Sequence, residues 1–390
     1  MNESGLFAPL IRGAIIRKIR CPWIVRAAEP SDGSCFAGAL RVKLEHETDA
    51  PALISGILAD AQTIPDRVAV VYRDREYRYF TGADFEHIEE ARCRETPEAY
   101  EAPPLPEGFA ARLDVVKNRV ALVTGGAQGF GAEIVRGLVE AGAVVFIADL
   151  NIAGAEQLAV RLNEEQGRRA AFAATVNVGD EESVEALCGL ISRTAGGLDL
   201  CVSNAGVLRA SSILEQDMAS FRLVTDINYT AFAVVTKHCA RLMKRQYEGA
   251  KAAFPWTTDI IQINSKSGLD GSNKNGAYAG SKFGSIGLVQ SFAKELVEYG
   301  IKVNAICPGN FFDGPLWSDP EKGLFVQYLK TNKVPGAQTI ADVKAFYEAK
   351  VPMARGCEGR DVMRAIFYLV EQVYETGQAL PVTGGQIMLN

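Results

Sequence analysis

Paired cysteines, clustered histidines, long apolar runs and basic blocks are all missing from this chain. Its three histidines, His46, His87 and His238, lie far apart with no second ligand at metal spacing, so no metal site is expected. His238 sits beside Cys239 in a helical run, where a structural role is expected. The eight cysteines include no Cys-x-x-Cys pair. Cys201, Cys239 and Cys307 fall in apolar strand or helix patterns, where a thiol is ordinarily a small core residue. Reduced thiols in a cytoplasm are the expected state. Apolar stretches are short and broken by charge, so none is expected to span a bilayer. Arg12, Arg17, Lys18 and Arg20 interrupt the N-terminal apolar residues and no small-residue cleavage site follows, so no signal peptide is read. A formal charge of −6 without a basic block argues against nucleic acid as a main partner. At 390 residues, the chain is expected to hold one large domain plus something extra.

What is present is chemistry at helical spacing. Tyr278 and Lys282 are four residues apart, so on a helix they share a face. A lysine ammonium beside a phenol favours phenolate and is expected to pull the tyrosine pKa down from about 10. That makes the tyrosine a usable acid/base for a hydroxyl or carbonyl oxygen. Ser265 ends the apolar run Ile260-Ile261-Gln262-Ile263 and can reach the same point from a strand tip. On its own, Tyr-x-x-x-Lys is a weak signal.

The stronger signal lies upstream, in Thr124-Gly125-Gly126-Ala127-Gln128-Gly129-Phe130-Gly131. An apolar strand runs into this turn and a helical pattern with Ile134, Leu138 and Val139 leaves it. Backbone N–H groups and the positive helix end there would face a pyrophosphate. Glycines let the turn be tight and approach the ligand closely. The next strand pattern ends at Asp149, whose carboxylate can accept both ribose hydroxyls and would repel a 2′-phosphate. No arginine sits in the turn or just after Asp149, so NAD rather than NADP is expected.

With these pieces, and with Ser203-Asn204-Ala205-Gly206, Asn228, Pro308-Gly309 and Gly384-Gly385 following in order, the chain resembles the short-chain dehydrogenase/reductase family from about residue 116 onward. The resemblance implies a catalytic tetrad of Asn228, Ser265, Tyr278 and Lys282. Tyr278 would be the acid/base, Ser265 would hold the substrate oxygen, Lys282 would bind the nicotinamide ribose, and Asn228 would anchor a relay water. It also implies cofactor contacts at Gly125, Gln128, Gly129, Phe130, Gly131, Asp149, Leu150, Asn177, Val178, Asn204, Ala205, Gly206, Tyr278, Lys282, Pro308 and Gly309. Two departures stand out. Asn177-Val178 occupies a position where the family often has Asp-Val, and Asn310 follows Pro308-Gly309 where a threonine is common.

Asn264-Ser265-Lys266-Ser267-Gly268, Gly309-Asn310, the run from Lys350 to Cys357 and Val382-Thr383-Gly384-Gly385-Gln386 narrow the likeness. They resemble the sorbitol-6-phosphate 2-dehydrogenases, which implies exchange between a sugar alcohol phosphate and a ketose phosphate. Another polyol, sugar or small ketone remains open as substrate, as does a non-catalytic NAD-sensing regulator. A phosphate needs cations near the open end of the pocket. Lys266, Ser267, Lys274, Asn310 and Arg355 are the residues singled out for substrate contact, with residues 316–352 as the lid. Family likeness implies a homodimer or homotetramer paired through the helices expected over 221–247 and 278–299.

Apolar runs at 120–123, 144–148, 170–176, 198–202, 260–264, 302–306 and 379–382 alternate with helical patterns at 131–140, 153–165, 181–193, 221–247 and 278–299. Such alternation implies parallel crossover units, and so an α/β fold with a Rossmann-type doubly wound sheet and helices on both faces. Residues 111–390 are expected to form that catalytic domain. Residues 1–110 are read as a small α/β appendage, for assembly or for covering the pocket. Strands are expected at 24–27, 37–44 and 68–72, and helices at 52–61 and 84–92. The proline-rich stretch 101–108 is the expected boundary. The connection 244–258 is longer than usual, with Phe254-Pro255-Trp256 a possible contact to the appendage.

Overall fold

In a computed structural model, the described residues are 5–19, 23–29, 36, 39–44, 50–59, 63–73, 75–94, 99–101, 115–250, 257–321, 323–330 and 334–388. The expected connector beyond residue 101, Phe254-Pro255-Trp256 and His46 lie outside them.

The N-terminal part runs α1 (Ala8–Ile19), β1 (Ile24–Ala27), β2 (Leu40–Leu44), α2 (Ala50–Leu58), β3 (Thr63–Pro65), β4 (Arg67–Tyr72), β5 (Arg75–Gly82), α3 (Phe85–Cys93) and β6 (Ala99–Glu101). Strands β1, β5, β4 and β2 form one mixed sheet in that order, and β3 pairs with β6. Four of these elements, α1, β3, β5 and β6, went unread in the sequence. Helix α1 carries charge along an apolar stretch, and β5 has a mixed burial pattern with no clean alternation.

The remainder runs β7 (Val120–Thr124), α4 (Gly129–Glu140), β8 (Val144–Asp149), α5 (Ile152–Gln166), β9 (Ala171–Thr175), α6 (Glu181–Ala195), β10 (Leu200–Ser203) and α7 (Met218–Thr225). A π-helical turn (Asp226–Thr230) leads into α8 (Ala231–Ala250), β11 (Thr258–Ile263), α9 (Gly276–Leu296) and β12 (Ile301–Pro308). Then come α10 (Pro315–Ser318), α11 (Leu324–Lys330), α12 (Ile340–Glu348), α13 (Gly359–Glu371) and β13 (Ala379–Val382). The sheet order is β13-β12-β11-β10-β7-β8-β9, and its recorded pairings are all parallel. Consecutive strands step outward from β7 in both directions, so a crevice opens where the order reverses, between β7 and β10. Burial explains the near-continuous apolar strands: every residue of β7, β11 and β12 is buried between the two helical layers.

The appendage docks at one end of this sheet. α1 crosses α8 so closely that a Cβ on Gly13 would lie 2.0 Å from the Gln246 carbonyl oxygen. One on Gly249 would lie 2.5 Å from that of Leu10. At the crossing, Arg12 is fully buried and holds Asp199 with both guanidinium nitrogens, at 2.8 and 2.7 Å, and Gln246 at 2.7 Å. Phe85 of α3 packs on Phe172 of β9, with ring centroids 4.8 Å apart. Asp199 precedes β10 and Gln246 lies near the end of α8, so these contacts sit at the strands' N-terminal ends. The carboxyl ends, where the cofactor motifs lie, are on the other side.

Cys201, Cys239 and Cys307 are all fully buried in the core, and His238 is buried against Glu181 at 3.0 Å. Among the described residues, no helix is long and apolar enough to cross a membrane.

Candidate active site

Five strands present their carboxyl ends to one crevice. β7 ends in Thr124 and turns at Gly125, whose φ of +62° only glycine adopts easily. A side chain there would meet the Ala205 backbone at 2.9 Å. Thr124 Oγ1 accepts the N–H groups of Asn204 and Ala205, both at 3.1 Å. Asn204 in turn donates to the carbonyls of Thr124 and Gly125, both at 3.0 Å. The loops after β7 and β10 are thereby latched together at the switch point. Gln128 precedes α4, and the N–H groups of Gly129, Phe130 and Gly131 in its first turn have no partner within the helix. Asp149, at the end of β8, accepts from Ala127 N–H at 3.0 Å and from Asn151 N–H at 2.9 Å, which holds its carboxylate against the turn. Leu150 beside it is 71 % exposed.

This cradle fits a dinucleotide on its own geometry: small residues, free amides at a positive helix end, and a carboxylate at the second strand. Gly131 is its tightest point, because a Cβ would lie 1.9 Å from the Gly125 carbonyl oxygen. Gly131→Ala should therefore weaken NADH binding by about tenfold or more, read by nucleotide fluorescence alongside circular dichroism. An affinity within about twofold of wild type would remove the steric argument.

Farther along the crevice the side chains expected to form the tetrad converge. Ser265 caps the short 3-10 turn Lys266–Gly268, its Oγ accepting from Ser267 N–H at 3.1 Å. Tyr278, on the first turns of α9, lies close enough to Ser265 for that residue to lower its pKa. Lys282, one turn later, is buried, donates to the Ile263 carbonyl at 2.9 Å and lies 5.7 Å from the centre of the Tyr278 ring. Asn228 stands in the π-helical turn that interrupts the single helix expected over 221–247. The extra residue in that turn lets Asn228 leave the helix line. It accepts from Val207 N–H at 2.8 Å and donates to the Val207 carbonyl at 2.8 Å and to Ser281 Oγ at 3.2 Å.

The electrostatics depart from the sequence expectation. Burial pushes the Tyr278 phenol above its ordinary value, and the nearby Ser265 offsets this only in part. Burial also lowers Lys282 to about 8. Desolvation of both groups thus outweighs the simple attraction between an ammonium and a phenolate.

Asn177 accepts from Gly179 N–H at 3.1 Å, and Val178 lines a narrow crevice with Asn228 and Lys282. Pro308 closes β12 and Gly309 follows, its N–H donating to the Val382 carbonyl at 2.9 Å. The Asn310 carbonyl accepts from Cys357 N–H at 2.8 Å, which ties the start of the lid to its end. Lys274 is exposed in the loop before α9. Arg355 is held by Asp361 through two bonds at 2.6 and 2.9 Å, so its charge is already matched.

Sequence reasoning missed two features here. Phe130 of the glycine turn stacks on Phe311 at the lid's base, ring centroids 4.5 Å apart and planes 17° from parallel. Lys350, at the lid's far end, acts electrostatically on Lys266. Its only sequence signal was its place in the run 350–357.

The family model described as short chain dehydrogenase matches residues 119–317. Sorbitol-6-phosphate 2-dehydrogenase of Escherichia coli K12 is 34 % identical over 273 residues, which span 70 % of this chain and 99 % of that protein. The crystal structure of sorbitol-6-phosphate 2-dehydrogenase SrlD from Erwinia amylovora superposes with a TM-score of 0.63 at 37 % identity, covering 69 % of this chain and all of that one. The Pseudomonas aeruginosa RhlG/NADP active-site complex superposes with a TM-score of 0.57 at 25 % identity, over 70 % of this chain and 98 % of that one. An extra N-terminal segment accounts for the unmatched share. Fold, ordered motifs and these likenesses agree: the chain belongs to the short-chain dehydrogenase family, as an oxidoreductase acting on alcohols, with a nicotinamide cofactor and an added N-terminal segment.

Proposed function

We propose that this chain is an NAD-dependent oxidoreductase interconverting a sugar alcohol phosphate and a ketose phosphate, with sorbitol 6-phosphate and fructose 6-phosphate as the leading pair. The observation that carries this reading is the contact of Tyr278 with Ser265 directly beside Lys266, inside a segment similar to the Escherichia coli enzyme. The nicotinamide supplies the hydride in reduction and accepts it in oxidation. Ser265 holds the substrate oxygen, and Tyr278 gives that oxygen a proton in reduction or takes one from it in oxidation. Lys282 binds the ribose and biases Tyr278, while Asn228 anchors the water that links Lys282 to solvent. Ser267 and Asn310 line the substrate end, and Arg355 would have to release Asp361 to reach an anion. A non-catalytic sensor of NAD has no need for the Ser265–Tyr278 contact.

Asp149 supports NAD as the cofactor; Leu150 and the turn from Gly129 to Gly131 are the residues that would hold its adenine and pyrophosphate. Asp149→Ser should raise the ratio of kcat/KM with NADPH to that with NADH by about tenfold or more, since a carboxylate repels a 2′-phosphate. An unchanged ratio would remove Asp149 from cofactor selection. We place the enzyme in the cytoplasm as a homodimer or homotetramer.

The direct test is NADH oxidation by the purified protein with fructose 6-phosphate, beside fructose and an NADPH control. Turnover of the phosphorylated ketose with NADH is expected. Turnover of fructose alone would keep the dehydrogenase and discard the phosphate. Tight NAD binding without turnover of any polyol or ketose would favour the sensor.

A further inference from the structure

Both amide hydrogens of Asn228 are committed to the protein. Val207 N–H donates to Asn228 Oδ1 at 2.8 Å, and Asn228 Nδ2 donates to the Val207 carbonyl at 2.8 Å. That reciprocal pair fixes which end of the amide is oxygen, since a flipped amide would set donor against donor and acceptor against acceptor. The second hydrogen on Nδ2 goes to Ser281 Oγ at 3.2 Å. Ser281 donates its own hydrogen to the Tyr278 carbonyl at 2.7 Å. Its hydroxyl thus accepts from the asparagine of the tetrad and donates to the backbone of the tyrosine.

The surroundings leave little room for another arrangement. Asn228 and Ser281 are buried, and Ser285, one turn farther along α9, is fully so. Ser285 Oγ donates to the Ser281 carbonyl at 2.7 Å, with the Asn228 carbonyl also in reach at 3.1 Å. Helix α9 therefore grips the backbone of the π-helical turn as well as its side chain. A Cβ on Gly206 would lie 3.1 Å from Asn228 Oδ1, and one on Gly284 would lie 3.0 Å from the Tyr229 ring. On the far side, Val207 continues the loop from β10 that Thr124 and Asn204 latch to the glycine turn. A path of covalent and hydrogen bonds runs from the nucleotide cradle through Val207, Asn228 and Ser281 to the backbone of Tyr278.

We propose that Ser281 is a positioning residue, whose hydroxyl sets where the Asn228 amide stands relative to Tyr278 and Lys282. The inference rests on the reading of Asn228 as the anchor of the relay water and deepens it. With alanine at 281, the second amide hydrogen of Asn228 loses its acceptor in a buried place. The amide must then turn away from Val207 or keep an unpaired donor. Either change disturbs the water that Asn228 anchors.

The test uses the full chain with Ser281→Ala, Ser281→Thr, Asn228→Ala and the double variant Ser281→Ala/Asn228→Ala. The substrates are NADH with fructose 6-phosphate, or with fructose where that is the ketose reduced. Ser281→Ala should lower kcat about tenfold and leave KM and the NADH dissociation constant within about twofold. Ser281→Thr keeps the hydroxyl, so its kcat should stay within about threefold of wild type. In the Asn228→Ala background, adding Ser281→Ala should cost less than about twofold, because the group it acts through is gone. Equal losses in the two backgrounds, or a kcat within about twofold of wild type in Ser281→Ala, overturn the proposal.

A second readout is independent of turnover. Asn228 Oδ1 accepts the Val207 N–H, so deuterium exchange at that amide should quicken about tenfold in Ser281→Ala and stay near wild type in Ser281→Thr. If Asn228→Ala keeps its kcat, the relay reading fails, and the Val207 exchange alone decides whether Ser281 positions the amide. Unchanged exchange in Ser281→Ala overturns the proposal.

Discussion

Tyr278→Phe is expected to lower kcat by about 10²- to 10⁴-fold, the range for losing a positioned acid/base. The NADH dissociation constant should stay within about twofold, because the glycine turn and Asp149 are untouched. The reason is geometric. Ser265 and Tyr278 lie close enough for the one to act on the other, so the phenol is placed to serve as proton source for an oxygen that Ser265 would hold. Phenylalanine keeps the ring and removes the proton. A kcat within about tenfold of wild type would mean that another group moves the proton.

The same site predicts a direction for pH dependence. Because burial raises the Tyr278 pKa, the phenol stays protonated through neutrality, as ketone reduction requires. Lys282, lowered to about 8, loses its charge as pH rises through that value. Ketone reduction should therefore be fastest below about pH 8 and decline above it, measured as kcat/KM against pH. Alcohol oxidation needs phenolate, so its profile should shift toward higher pH than that of reduction.

The second large effect is on stability. Arg12→Met should cost about 3–5 kcal/mol, read from the urea midpoint, because it leaves Asp199 buried without its counter-charge. Burial pushes the Asp199 carboxyl up, but Arg12, Arg119 and the Val120 N–H together outweigh it and hold the carboxyl below its usual range. In the wild type this group's stabilisation is present above its unfolded pKa of about 3.9 and is lost as pH falls through the lower folded value. Without Arg12, burial is expected to raise the folded pKa instead. The penalty is then largest at neutral pH and shrinks on acidification. The stability gap between variant and wild type should narrow as pH falls from about 7 toward about 5. Arg12→Met/Asp199→Asn should regain part of the loss, since an amide needs no counter-ion. A cost below about 1 kcal/mol for Arg12→Met would show that the appendage is not keyed by this pair.

The parallel sheet was legible because each strand and helix announces itself locally. Fully apolar runs such as Ile260 to Ile263 alternate with helical periods, and that alternation leaves few topologies open. Strand edges were read within a few residues for the same reason: end residues contribute little to periodicity. The helix expected over 221–247 was read as continuous because a π-helical turn has no distinct composition, yet that turn aims Asn228 at Val207 and Ser281.

By itself the sequence determined the order of strands, the glycine turn, Asp149 and the Ser265–Tyr278–Lys282 spacing. All depend on neighbours within a turn of helix or on short ordered motifs. Only the tertiary structure decided what Arg12 does, because its partner Asp199 lies 187 positions away and nothing local marks either residue. It also set the balance that raises Tyr278 rather than lowering it. Both depend on burial and on long-range packing, which periodicity does not encode.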